Sequence, residues 1–138
     1  MSRVLGLDVG NVRIGVAVSD SSRTIAQSLC YIKRIGYSKD TEKIIQIASE
    51  YDCDTIVVGL PKLMSGIEGT QALKTREFAD ELIKKGCKVE YQDERLSSVA
   101  AESVLLEANT SRKKRKQNID KIAASFILQM WLDKNNNK

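Results

Sequence analysis

Three acidic residues, Asp8, Glu94 and Asp120, have the side-chain type and the setting that point most directly to chemistry. Asp8 interrupts an apolar segment that otherwise has the composition of a buried strand. An ionised carboxylate is costly to bury without a partner, so Asp8 should bind a cation or accept hydrogen bonds. The alternative is a structural turn, in which Asp8 accepts hydrogen bonds from the amides of Gly10 or Asn11.

The other two acids also have a structural alternative. Glu94 follows a predicted strand directly, and ligands of α/β sheets gather beyond the carboxyl ends of the strands. Glu94 and Arg95 could equally form a plain surface ion pair. Asp120 lies in the first turn of a predicted helix after a cap at Asn118, where an acid complements the helix dipole without any catalytic role. It is one position from the apolar stripe of that helix, so it should border the core.

The absence of histidine narrows the chemistry. It excludes a Ser-His-Asp triad, a Cys-His dyad and histidine-ligated zinc. No GxxxxGK[ST] motif is present, which excludes a P-loop. A metal would therefore be held by oxygen ligands, which favours Mg²⁺ or Mn²⁺. Asp8, Glu94 and Asp120 together form an oxygen-only set, in which a pair of such ions could activate a water at a phosphodiester.

The net charge of +4 is unevenly distributed along the chain. Residues 1–110 hold 14 basic and 16 acidic residues, whereas residues 111–138 hold 8 basic and 2 acidic ones. We expect the basic run Arg112–Lys116 to be a mobile loop that contacts a polyanion such as nucleic acid, and a solvated loop with no binding role is the alternative. Two isolated arginines could hold phosphate or serve as ion-pair partners. The candidate substrate-binding residues are therefore Arg13, Arg95, Arg112, Lys113, Lys114, Arg115 and Lys116.

Length and composition indicate one globular domain spanning residues 1–138, with 42% hydrophobic residues. The three cysteines, Cys30, Cys53 and Cys87, form no CxxC pair and are expected to be free thiols. No apolar run approaches the roughly 18 residues of a membrane span, and the N-terminus lacks the apolar stretch of a signal peptide. We therefore expect a cytoplasmic protein with no membrane association.

Hydrophobic periodicity predicts the element order βββ, α, β, α, β, α, α. A helix capped by Ser38 and a helix ended by Gly86 join the later strands, and these strands should be parallel. The predicted sheet is therefore mixed, with antiparallel β1-β2-β3 hairpins beside parallel strands, as in the ribonuclease H-like α/β fold. The predicted strands are Val4–Val9, Ile14–Val18, Thr24–Ile32, Thr55–Gly59 and Cys87–Tyr91, and the last two helices are Ser98–Glu107 and a C-terminal helix that begins near Asn118.

Four blocks of the sequence resemble the YqgF (RuvX) family in order and spacing: Gly6–Asp20, Ile56–Pro61, Asp93–Ser98 and Asp120–Leu128. The resemblance spans nearly the whole chain. It implies a ribonuclease H-like nuclease related to Holliday junction resolvases, with Asp8, Glu94 and Asp120 as the acidic metal ligands.

The resemblance also implies a role in maturing the 5′ end of pre-16S rRNA, which we favour over Holliday junction resolution. The expected partners are structured RNA or branched DNA and the small ribosomal subunit, and we expect a monomer or weak dimer. A non-catalytic nucleic-acid or ribosome-binding protein is the alternative from another class. The block that begins at Asp8 also resembles the phosphate-binding turn of actin-like sugar kinases and chaperone ATPases, but those enzymes need two such lobes.

Overall fold

The fold is known from a computed structural model, which describes residues 2–61, 65, 67–94 and 112–136 and gives only the backbone for residues 112–121. Five strands form one mixed sheet in the order β3-β2-β1-β4-β5. The pairs β1–β2 and β2–β3 are antiparallel, whereas β1–β4 and β4–β5 are parallel, which confirms the predicted arrangement. The strands are β1 (Arg3–Val9), β2 (Arg13–Ser19), β3 (Ala26–Lys33), β4 (Cys53–Leu60) and β5 (Val89–Asp93).

Among the described residues, three helices cover the two faces of the sheet. Helices α1 (Tyr37–Glu50) and α2 (Thr70–Lys84) pack on one face, and α3 (Arg112–Asn136) packs on the other. Alternation along β1 sends Leu5 and Leu7 toward α1 and α2, and it sends Asp8 toward α3. Within the described part of the chain, no helix is both long and apolar enough to cross a membrane.

Helix α3 lies very close to β1 because Gly6 has no side chain. A Cβ at Gly6 would stand 2.7 Å from the Cβ of Leu128 and 3.2 Å from the carbonyl oxygen of Ala124. The helix buries Ile127, Leu128 and Trp131 against the sheet, each contributing roughly 1.5–3 kcal/mol through burial of apolar surface. Trp131 is therefore part of the core.

Tertiary contacts moved several of the predicted element boundaries. The N-cap of α1 is Gly36 rather than Ser38, and no side chain caps that helix. Strand β5 begins at Val89 rather than Cys87, because its register is set by pairing with Ile56 of β4. The predicted stop of α2 holds, since Gly86 follows it with φ +94°.

The basic segment Arg112–Lys116 differs most from its prediction. It was expected to be a mobile loop, but it forms the first turns of α3, which therefore begins six residues before Asn118. Lys and Arg have good intrinsic helix propensity, whereas like-charge repulsion between helical neighbours costs only a few tenths of a kcal/mol. Continuing a helix that is already packed is also cheaper than starting one. The predicted helix Ser98–Glu107 lies outside the described residues.

Candidate active site

The carboxyl groups of Asp8 and Glu94 meet on the α3 face of the sheet, where they share a hydrogen bond. Asp8 is the penultimate residue of β1, and Glu94 directly follows β5. Both therefore lie at the carboxyl ends of parallel strands, where α/β sheets bind ligands. In the alternative interpretation, Asp8 accepts hydrogen bonds from turn amides. One of these donors is already used, because the Gly10 amide donates to the carbonyl oxygen of Arg13 at 3.0 Å.

Gly59 of β4 makes room for this pair. A Cβ at Gly59 would stand 2.7 Å from Glu94 Oε2 and 2.5 Å from the Cδ1 of Ile127, closer than real Cβ atoms approach. The Glu94 amide also donates to the carbonyl oxygen of Leu60 at 3.3 Å. Glu94 thus reaches across β4 toward Asp8 because the intervening position has no side chain. The sequence pattern placed Gly59 at the end of the fourth strand but did not reveal this role.

Burial raises the pKa of the Glu94 carboxyl above its ordinary value. The hydrogen bond with Asp8 opposes part of that rise, and the negative charge of Asp93 adds to it. A divalent cation would offset both the cost of burying the negative charge and the repulsion between the acids, so this set of oxygen donors fits a hard metal ion.

Gln92 is a further oxygen donor that sequence reasoning missed. Its side chain faces α3, because Tyr91 on the same strand packs into the opposite core. Its Oε1 atom is buried and, among the described residues, accepts no hydrogen bond. The fifth strand was predicted to end at Tyr91, which put Gln92 outside the sheet. The alternation of side chains between the two faces of a sheet therefore could not be used to orient Gln92.

Position 120 lies on the part of α3 that runs toward this site. The amide of Ala26 donates to Gln129 Oε1 at 2.8 Å, which ties the C-terminal half of α3 to the start of β3. In the register of the sheet, the start of β3 is level with the start of β1, so the N-terminal half of α3 extends toward the carboxyl end of β1. Helical periodicity puts Asp120 on the same face as Ala124 and Ile127, which pack on the sheet. The Asp120 side chain lies outside the described residues.

The remaining candidates are only partly described. Arg13 is on the α3 face of β2, with its guanidinium carbon 5.7 Å from the centroid of the Tyr31 ring. Arg95 lies outside the described residues, and for Arg112–Lys116 only the helical backbone is described. Within the described part of the chain, no group of three His, Cys, Asp or Glu side chains is placed to hold a metal ion.

The order of the strands, with helices on both faces of the sheet, defines a ribonuclease H-like fold. The chain is similar in structure to Thermus thermophilus RuvC in complex with a Holliday junction substrate, with a TM-score of 0.61 and 13% sequence identity. The likeness covers 100% of this chain and 98% of the RuvC chain. At this low identity, the comparison shows the fold alone.

A family model described as RuvX, Holliday junction resolvase, matches residues 2–134. The chain is 50% identical to a protein of Thermoanaerobacter pseudethanolicus, over 99% of both chains, and 47% identical to one of Clostridium perfringens, over 96% of this chain and 97% of the relative. Both relatives are named as candidate pre-16S rRNA nucleases. The chain therefore belongs to the RuvX family, and it is a nuclease, a hydrolase of phosphodiester bonds.

Proposed function

We propose that this chain is a divalent-metal-dependent nuclease, built as a single domain, whose metal ligands are Asp8, Glu94 and Asp120. The observation that carries the proposal is the hydrogen-bonded pair of Asp8 and Glu94 at the carboxyl ends of β1 and β5. Two acids brought together in a partly buried place destabilise each other unless a cation is present. A carboxyl group whose pKa is raised by burial next to a second acid is a candidate for a functional site.

Mg²⁺ or Mn²⁺ suits this donor set, because the described ligands are oxygen atoms and the chain has no histidine. When bound, such an ion would activate a water and stabilise the leaving oxygen of the phosphodiester. The protein's own part is to hold Asp8 and Glu94 in place through the rigid strands on which they stand. The burial of Glu94 also lowers the local dielectric, which strengthens the hold of the carboxylates on the metal.

The basic residues supply the attraction for a polyanion that the acids would otherwise repel. The first turns of α3 carry the five adjacent cations Arg112–Lys116, and this end of the helix runs toward the acidic pair. Arg13 adds a positive charge on the same face of the sheet as Asp8. We propose that Arg13, Arg95 and Arg112–Lys116 contact phosphates of the substrate.

The favoured substrate is the precursor of 16S rRNA, cleaved in the maturation of its 5′ end on the assembling small ribosomal subunit in the cytoplasm. The names of the two relatives, which are about half identical over nearly their full lengths, support this choice. A four-way DNA junction is the second candidate, and the description of the family supports it. Both substrates present the same phosphodiester chemistry to the acidic site.

The test is to incubate the pure protein with labelled pre-16S rRNA, linear RNA and a four-way DNA junction, each with Mg²⁺, Mn²⁺ or a chelator. We expect metal-dependent cleavage, fastest on the rRNA precursor. Asp8→Asn should abolish cleavage while preserving the fold and substrate binding, because it keeps the side-chain shape and removes the charge. Glu94→Gln should likewise abolish cleavage. Its matched control is Glu42→Gln, an exposed change on α1 across the sheet, which should cleave normally.

Three outcomes distinguish the alternatives. Preferential cleavage of the junction would assign the protein to DNA recombination rather than rRNA processing. Binding without cleavage under any metal condition would indicate a non-catalytic nucleic-acid-binding protein. Normal turnover by Asp8→Asn would mean that Asp8 has a structural role only and that the metal site is wrong.

A further inference from the structure

A row of sheet positions connects the acidic pair to the outer edge of the sheet. Asp8 of β1 is paired with Gly15 of β2, and Gly15 is paired with Tyr31 of β3. Neighbouring strands lie about 4.8 Å apart, so the Cα atoms of Asp8 and Tyr31 are roughly 10 Å apart. Strand β3 is an edge strand, so Tyr31 stands at the border of the sheet.

Tyr31 lies beside two cations on the α3 face. Arg13 is directly opposite Lys33 in the β2–β3 register, and its guanidinium carbon is 5.7 Å from the centroid of the Tyr31 ring. Tyr31 and Lys33 are two residues apart on β3, so both point to the face opposite Ile32, which is in the α1–α2 core. An aromatic ring and two positive charges therefore occupy the same patch of surface.

The contacts of Tyr31 differ from those of the comparably exposed Tyr37. Tyr37 has a structural role, because its hydroxyl donates to Glu77 at 3.1 Å and its ring packs edge-on against Phe78. Tyr31 is 40% exposed, and within the described residues its hydroxyl has no hydrogen-bond partner. In the same part of the chain, the ammonium group of Lys33 takes part in no ion pair. Hydrogen bonds and ion pairs among the described residues therefore do not explain why Tyr31 and Lys33 are on the surface.

We propose that Arg13, Tyr31 and Lys33, named here the edge patch, bind an unpaired nucleotide next to the cleaved phosphate. Tyr31 stacks on the base, while Arg13 and Lys33 hold the flanking phosphates. A ring on a sheet edge can stack only on a base whose face is open, and the bases within a duplex cover one another. The edge patch therefore selects a single-stranded segment within about 10 Å of the metal site.

This inference rests on the proposed nuclease function and narrows its substrate to nucleic acid with an unpaired segment at the cleavage point. The sugar is not read by stacking, so RNA and DNA strands of the same sequence should both engage the ring. The charge contribution should appear as a dependence on salt, and the stacking contribution should not.

The experiment measures binding with a chelator present, so that no cleavage occurs. The probes are an oligouridylate with one 2-aminopurine, its DNA counterpart, and a blunt duplex. Tyr31→Ala should weaken single-strand binding roughly 5- to 100-fold and abolish quenching of the 2-aminopurine, because it removes one stacking platform. Duplex binding should stay unchanged. Tyr31→Phe should bind like the wild type, since the ring and not the hydroxyl is used.

Matched variants separate the proposal from general damage to the fold. Tyr37→Ala removes a tyrosine of similar exposure on the other side of the sheet and should leave single-strand affinity unchanged. Tyr31→Thr keeps the strand propensity of the edge and should show the same loss as Tyr31→Ala. Lys33→Ala should reduce the salt slope on single strands by about 0.7, whereas Lys39→Ala on α1 should not.

Wild-type affinity in both Tyr31→Ala and Tyr31→Thr would overturn the edge patch. If the wild type then still cleaves with metal and Asp8→Asn does not, the proposed function stands without it. If the wild type neither binds the single strands nor cleaves any substrate, both proposals fail. Loss of quenching in Tyr31→Ala, with quenching kept in Tyr31→Phe and Tyr37→Ala, would support the edge patch.

Discussion

The substitution Gly59→Ala tests whether the empty space at this position creates the acidic pair. The backbone of Gly59 does not lie in the left-handed region, so alanine fits the main chain and only the surroundings oppose it. The added Cβ would need Glu94 Oε2 to retreat by about 0.7 Å and Ile127 Cδ1 by about 0.9 Å, to reach an ordinary contact of about 3.4 Å. Both groups are flexible side-chain ends, so the protein should still fold.

The expected loss of stability follows from two opposing contributions. Overpacking a buried position costs about 1–3 kcal/mol, whereas exchanging glycine for alanine returns about 0.4–1 kcal/mol by restricting the unfolded chain. We therefore expect a net loss of about 1–2 kcal/mol, which lowers the urea midpoint by roughly 0.5–1 M. The displacement of Glu94 should slow cleavage roughly 10- to 100-fold, because misplacing a catalytic group by 1 Å can cost that much.

A double-mutant cycle with Ile127→Val isolates the steric cause. Alone, Ile127→Val should cost about 0.5–1.5 kcal/mol through the loss of a buried methyl group. In the Gly59→Ala background, it removes the atom that the new Cβ meets at 2.5 Å, so it should cost nothing or restore stability. Cleavage should stay slow in the double variant, because the contact with Glu94 is unchanged.

Circular dichroism during urea unfolding and initial rates of cleavage supply the two measurements. Gly36→Ala is the control, since an added Cβ there meets nothing within 4 Å, and its stability should change by less than about 1 kcal/mol. Wild-type stability and activity in Gly59→Ala would refute the reasoning. If the stability losses of Gly59→Ala and Ile127→Val simply add in the double variant, the strain does not arise from the contact with Ile127.

Three further predictions concern charge. Because burial raises the pKa of Glu94, its ionisation destabilises the folded metal-free protein, so wild-type stability should fall relative to Glu94→Gln as pH rises from the ordinary glutamate pKa of about 4.3 through the raised value. Urea titrations of both proteins across this pH range measure the difference in stability. With Mg²⁺ bound, the wild type should become the more stable of the two. A difference that does not change with pH would contradict the prediction. Asp40→Ala should lower the unfolding free energy by about 3–5 kcal/mol. It breaks the buried ion pair and leaves the Arg34 guanidinium without its carboxylate, and it removes the acceptor of the Ile35 amide. The control Glu68→Ala breaks a more exposed pair, with Arg76, and should cost at most about 1 kcal/mol. Equal losses in the two variants would show that the burial of the pair does not matter. Replacing all five residues of Arg112–Lys116 with Ser should flatten the slope of log affinity against log salt concentration. The expected change per lost phosphate contact is about 0.7 on single strands and about 0.9 on duplex. An unchanged slope would mean that the segment is only a solvated surface.

The sequence was sufficient for the sheet and for the identity of the candidate ligands. Apolar runs separated by turn residues predicted all five strands, and the two helical crossovers required β1, β4 and β5 to be parallel. Asp8 stood out because a charge inside an apolar run needs a physical reason. These conclusions rest on periodicity and on the cost of burying charge, both of which act locally along the chain.

Tertiary structure decided what depends on registers and on contacts between distant segments. The pairing of Ile56 with Val89 moved β5 by two residues, which brought Gln92 onto the α3 face and put Glu94 directly beyond the strand end. The interpretation of Arg112–Lys116 as a loop was wrong, because a local pattern does not include the support of an already packed helix.

The role of Gly59 could be recognised only in three dimensions. A glycine within a strand shows that space is needed, but the atoms that use the space come from Glu94, 35 residues further along the chain, and from Ile127. The edge patch was equally hidden, since Arg13 and Tyr31 meet only through the β2–β3 register. Sequence specifies which groups are present, whereas the distances on which metal binding and stacking depend arise from packing between segments that are far apart in the chain.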